Sequence, residues 1–147
     1  MILERLGAYA VATREAPLPA DVLHHAKRTV IDWFAATLPG TGEPAAVALR
    51  AALADETGHG RALVYGTALR APPRVAALLN GTASHLTEFD DIFRDAIYHP
   101  GSPTIAAALA CAQARGTNGL DLLRGIVVGY EVSTRIGAVM VPAHYRF

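Results

Sequence analysis

Between Ala83 and Thr104 the chain concentrates four carboxylates (Glu88, Asp90, Asp91 and Asp95), two histidines (His85 and His99) and one arginine (Arg94) in a sequence that is otherwise mostly apolar. Carboxylates beside an imidazole are the parts of a proton-transfer site, since histidine titrates near neutrality and can give or take a proton there. Glu88, Asp90 and Asp91 are expected at the C-terminal end of a helix, where the macrodipole disfavours negative charge by roughly 0.3 kcal/mol or more. Stability does not explain acids at that position. A solvated helix end with the acids paired to Arg94 or Arg74 is the plain reading. Phe89, Ile92 and Phe93, interleaved with the acids, favour instead a partly buried loop that holds them in place.

The other half of the segment is complementary. Ser102-Pro103 predicts an N-cap and first helical residue, so that a helix starts directly after His99-Pro100-Gly101. The free N–H groups of such a start suit a carboxylate or a phosphate. A histidine before Pro-Gly is by itself a turn residue. Here the acids, the imidazole and the helix start fall within about twenty residues, as proton transfer on an anionic substrate requires.

These residues must be positioned by helices. Apolar residues recur at helical spacing, as in Val22, Ala26, Val30, Trp33 and Phe34. The pattern predicts helices from Ile2 to Arg14, Pro19 to Leu38, Pro44 to Thr57, Arg74 to Glu88, Ser102 to Arg115 and Leu120 to Met140. Pro39-Gly40 supplies a sharp stop for the second. Gly58 to Pro73, with its glycines, prolines and the β-prone Leu63-Val64-Tyr65, predicts a loop holding at most a short strand. About six helices and no alternating strand pattern imply an all-α bundle or orthogonal array, with residues 1–147 forming one domain. Gly125 and Gly129 form a Gly-xxx-Gly pair for close helix approach, inside the domain or at a subunit interface. His24, His25, His59 and His144 read as surface or packing residues.

Composition excludes several functions. With 52% hydrophobic and 18% charged residues the chain is not disordered, and its apolar surplus hints at an interface. Thirteen Lys and Arg balance thirteen Asp and Glu, leaving no positive field to gather nucleic acid or an anionic membrane. The N-terminus lacks the pattern of a signal peptide, and the longest apolar run, Gly125 to Val141, is broken by Glu131 and Arg135 and too short to span a bilayer. A soluble, cytoplasmic protein is expected. The single cysteine, Cys111, reads as a small core residue in an alanine-rich run.

Leu79-Asn80-Gly81, His85, Glu88-Phe89-Asp90-Asp91 and His99-Pro100-Gly101, together with Asp21 to Asp32 and Gly129-Tyr130-Glu131-Val132, resemble the MmgE/PrpD family, which includes 2-methylcitrate dehydratase and cis-aconitate decarboxylase. The resemblance covers most of the chain. It implies the N-terminal helical domain of a larger two-domain protein, with a mixed α/β lid encoded downstream. It also implies a homodimer, no metal or organic cofactor, and a lyase acting on small polycarboxylic acids, to which a lysine and a second histidine from later in the chain contribute. This segment alone is then expected to be inactive. Carried over by position, Asp90 and Asp91 match the paired acids and His99 the motif histidine. Glu88 stands where some members have aspartate, and Ile92 where several have threonine. On this reading His99 is the general acid/base and Asp91 its orienting or proton-relaying partner. Glu88 and Asp90 shape and polarise the site, and Ser102, Arg94 and His85 help bind substrate.

Two other readings compete. Asp90-Asp91-Ile92-Phe93-Arg94-Asp95 also resembles the aspartate-rich Mg²⁺ site of the all-helical isoprenoid synthases, with a spacing one residue longer. The chain can also be a non-catalytic helical assembly domain.

Overall fold

A computed structural model describes residues 1–144, with the side chains of Pro142 and His144 left aside, so the expectation for His144 lies outside the described residues. Within them run six α-helices: α1 (Ile2–Thr13), α2 (Ala20–Gly40), α3 (Pro44–Ala52), α4 (Pro73–His85), α5 (Gly101–Arg115) and α6 (Gly119–His144). The all-α reading holds. The segment after α3 tightens into a 3-10 turn, Ala54–Glu56, because the Thr57 N–H and hydroxyl both turn back to the Ala54 carbonyl. That shortens the third expected helix. Beyond it, β1 (Ala62–Leu63) and β2 (Arg70–Ala71) pair antiparallel, Ala62 opposite Ala71. Asn80 of α4 and Gln113 of α5 bind this hairpin: the Asn80 amide donates to the Leu63 carbonyl at 2.8 Å, and the Leu63 N–H donates to Gln113 at 2.7 Å. Side chains thus satisfy backbone groups that so short a ladder cannot.

Two buried clusters form the core. Trp33, Ile105, Ala106, Leu109 and Ile126 join α2, α5 and α6, while Val64, Val75, Ala76, Leu79 and Ala110 join the hairpin to α4 and α5. Trp33, Phe34 and Tyr65 meet edge to face with centroids 4.9 to 5.8 Å apart. Cys111 corrects the sequence expectation, for it is exposed. Ile105, Ala106, Leu109 and Ala110 take the inner face of α5, and the next residue turns about 100° away.

Small residues let the helices approach. α2 runs through Pro39 to Gly40 rather than stopping before them, and a Cβ at Gly40 would fall on the Ala83 carbonyl of α4. Gly129 faces Thr104 of α5, whereas among the described residues a Cβ at Gly125 would meet nothing within 4 Å, so close packing within them uses only one of the pair. Gly40→Ala is therefore expected to destabilise the protein by about 3 kcal/mol, the upper end for overpacking against backbone that cannot move aside. Gly125→Ala should gain up to about 1 kcal/mol through helix propensity. Thermal unfolding of both checks this: the first should melt roughly 10 °C lower. Among the described residues, no helix is long and apolar enough to cross a membrane.

Candidate active site

The chemistry-bearing segment lies between the end of α4 and the start of α5, the most extensively packed helix pair. α4 stops at His85, three residues short of Glu88, so the acids occupy a loop and not a helix end. Glu88 there adopts the left-handed conformation with φ 57°. Farther on, Phe93 and Tyr98 form an isolated antiparallel bridge, with the Phe93 N–H donating to the Tyr98 carbonyl at 2.8 Å. The bridge closes over a short 3-10 turn, Arg94–Ala96, whose Ala96 is fully buried. Ile97, at φ 45°, takes a backbone conformation unfavourable for a β-branched residue. This fold-back returns the chain to α4 and sets His99 beside His85, ring centroids 4.7 Å apart.

Asp90 is the centre of the site. Its side chain is 1% exposed, and both imidazoles turn Nδ1 towards it: His85 lies 3.1 and 3.2 Å from the two oxygens, and His99 lies 3.4 Å from Oδ1. His99 is near enough to pair but not aligned for a hydrogen bond, so its buried Nδ1 has no hydrogen-bond partner among the described residues. The Ser102 hydroxyl donates to Asp90 Oδ2 at 3.1 Å and lies 2.7 Å from the Ser84 hydroxyl, itself 2.8 Å from the Gly81 carbonyl. Two hydroxyl protons serve these three contacts. The order Ser84 to Ser102 to Asp90 gives a donor to the buried carboxylate, the group that loses most without one.

Asp91 turns the other way. Its Oδ1 accepts the Gly101 N–H at 3.0 Å and its Oδ2 the Tyr130 hydroxyl at 2.8 Å. Burial pushes the Asp91 carboxyl above its ordinary pKa; the bonds from Tyr130 and Gly101 pull it down, and the Asp90 and Asp32 charges add to the rise. Burial raises the Tyr130 phenol too, and the Asp91 charge beside it adds to the effect. Two sequence expectations are corrected here. The carboxylate facing His99 is Asp90, not Asp91, because neighbouring residues in this extended turn point to opposite sides. The helix begins at Gly101, with Pro100 as N-cap, so Ser102 is not the cap: it sits inside the first turn and its buried hydroxyl serves Asp90. One first-turn N–H, that of Gly101, is taken by Asp91 and is closed to a ligand anion.

A cleft of about 670 Å³ opens against this network, lined by Gly81, Thr82, His85, Tyr98, His99, Ser102, Pro103 and four aliphatic side chains. His85 is 46% and His99 30% exposed. The structure brings together His85, Asp90, His99 and Ser102. Glu88 and Arg94 are exposed and do not line the cleft, and Arg74 pairs with Glu56 instead of the acids. The Mg²⁺ reading loses its geometry, since Asp90 and Asp91 engage different partners and Asp95 is exposed. His85, Asp90 and His99, with donor atoms within 4.8 Å of one another, are instead a donor set suited to a borderline transition ion. Ser84 and Tyr130 join the network although the sequence analysis gives them no place in the site. Ser84 had a signal in its helical spacing from Gly81, but nothing in the sequence ties Tyr130 to Asp91.

The MmgE/PrpD N-terminal domain matches residues 4–147. The chain belongs to the MmgE/PrpD family. Among relatives of this MmgE/PrpD chain, a cis-aconitate decarboxylase-like protein of Aspergillus oryzae is 34% identical over 149 residues, covering 97% of the chain and 31% of the relative. The cis-aconitate decarboxylase of Aspergillus terreus is 29% identical over 125 residues, 82% of the chain and 26% of the relative. That of Mus musculus is 30% identical over 123 residues, 81% and 25% respectively. This MmgE/PrpD chain thus spans less than a third of the length of these relatives.

Proposed function

We propose that the chain is the acid–base half of a lyase acting on a small polycarboxylic acid, with His99 as general acid/base and Asp90 as the carboxylate that orients it. The observation that carries this reading is the His99 Nδ1 lying 3.4 Å from the buried Asp90 on the wall of an open cleft. The Asp90 carboxylate faces the Nδ1 side of the ring, leaving Nε2 for the substrate proton. In a decarboxylation the bond to the departing carboxylate breaks, carbon dioxide leaves, and the electron pair left on carbon takes a proton from the imidazolium. In a dehydration the imidazole takes the proton next to a carboxylate and hydroxide leaves. The names of the relatives favour decarboxylation of a cis-aconitate-like substrate.

No lysine or arginine is among the described residues lining the cleft, yet a polyanion needs cations. A lid encoded downstream supplies them in this proposal, together with the lysine and second histidine that the family resemblance implies, and the working unit is a cytoplasmic homodimer without metal or organic cofactor. Glu88 and Arg94, exposed beside the site, contribute only once that lid is in place.

The test is an assay of the complete gene product against cis-aconitate, 2-methylcitrate and citrate, following carbon dioxide release and water addition or loss, with and without a chelator. Carbon dioxide from cis-aconitate, unaffected by chelation, is expected. Activity lost to chelation and restored by zinc would reassign His85, Asp90 and His99 as metal ligands.

A further inference from the structure

Tyr130 lies 31 residues beyond His99 in sequence, on α6, and takes no part in the proposed chemistry. Its hydroxyl nevertheless ends on the loop that carries the site. It donates to Asp91 Oδ2 at 2.8 Å, while Asp91 Oδ1 accepts the Gly101 N–H at 3.0 Å. Asp91 therefore touches the segment at two points. It is bonded in sequence to Asp90, and it is clamped on the backbone two residues past His99.

The seat for this carboxylate is built into the backbone. A Cβ at Gly101 would overlap Asp91 Oδ1 and stand 2.9 Å from the Tyr130 oxygen, so no other residue leaves room for the pair. α6 comes close enough to deliver the phenol because Gly129 fits against Thr104 and because a Cβ at Gly137 would lie 2.9 Å from the Ala96 Cβ. Burial and the adjacent carboxylate both keep the phenol protonated, so it stays a donor.

We propose that Tyr130 is a positioning residue: through Asp91 it clamps the loop between Asp90 and His99 and so sets the separation of that pair. The inference rests on the proposed acid–base role of His99. Without the phenol, one oxygen of the half-buried Asp91 loses its donor, the clamp on Gly101 loosens, and His99 drifts against Asp90. Misplacement of a reacting group by about 1 Å costs on the order of 100-fold in rate.

The experiment compares Tyr130→Phe, Asp91→Asn, the double variant and His99→Gln in the complete gene product, with cis-aconitate as the probe and carbon dioxide as the product. Tyr130→Phe is expected to lower kcat about 10- to 100-fold with KM changed by less than about 3-fold, the pattern of an interaction expressed in the transition state. The double variant should be no slower than Asp91→Asn, since Tyr130 acts through Asp91. A lowered melting temperature with unchanged kcat overturns the proposal, and so does a double variant showing the full product of the two single effects. Normal turnover by His99→Gln would instead sink the acid–base reading itself. NMR of the imidazole signals decides independently of turnover and substrate: in Tyr130→Phe the His99 signals should move while those of His59, out on the hairpin side, stay fixed. Unmoved His99 signals overturn the proposal. If Tyr130→Phe does not fold, Asp91→Asn, which keeps the side-chain shape, carries the same readouts.

Discussion

Turnover by a His99→Gln protein is expected to fall at least about 100-fold, the lower end of what a positioned acid–base group contributes. Glutamine retains polarity and much of the volume at a site only 30% exposed, so folding should survive and circular dichroism should match the wild type. KM should change little, because proton transfer is made in the transition state and not in the ground state. The measurement is kcat and KM for whichever polycarboxylate the wild type converts. A variant within a few-fold of wild-type kcat removes His99 from the mechanism. His85→Gln is the internal comparison. His85 shares the carboxylate but is the more exposed ring, and its loss is expected to be the milder of the two.

The second large effect is at Asp90. Asp90→Asn keeps the shape and the acceptor for Ser102, yet it removes the negative charge that faces both imidazoles. An amide can also present N–H to His99 Nδ1, which would force the proton to the other ring nitrogen and leave the base in the wrong tautomer. Loss of an orienting carboxylate in this way is expected to cost about 100-fold or more in kcat, comparable with loss of the imidazole itself. Because the two residues act as a unit, the double variant with His99→Gln should be little slower than either alone. Additive losses would mean that Asp90 acts on the substrate directly and not through the ring.

Asp90 and Asp91 illustrate how much of the site was legible beforehand. Their residue types, with His99-Pro100-Gly101 nearby, pointed to this segment as the candidate site, since carboxylates beside an imidazole are the parts of a proton-transfer site. Which acid meets the imidazole was not legible. Adjacent side chains in a turn diverge, and the direction of each depends on backbone angles such as the positive φ of Glu88 and Ile97, which residue type alone does not specify for non-glycine residues. Ser102 was expected as a cap; a two-residue difference in where α5 begins turned its hydroxyl from the helix end to the buried carboxylate.

By itself the sequence determined the elements: apolar residues at a period near 3.6 yield helices in any context that buries them, and glycine and proline interrupt them locally. The six α-helices, the near absence of strand and the crowding of ionisable groups between α4 and α5 all follow from such short-range rules. Tertiary structure alone decided what those groups touch. Tyr130 reaches Asp91 only because α6 packs against α5 at Gly129, and Asn80 and Gln113 find the Leu63 backbone only because α4 and α5 flank the hairpin. Contacts between residues 17 to 50 positions apart depend on how whole helices pack, and helix packing is set by the summed shape of two surfaces and not by any local run of residues.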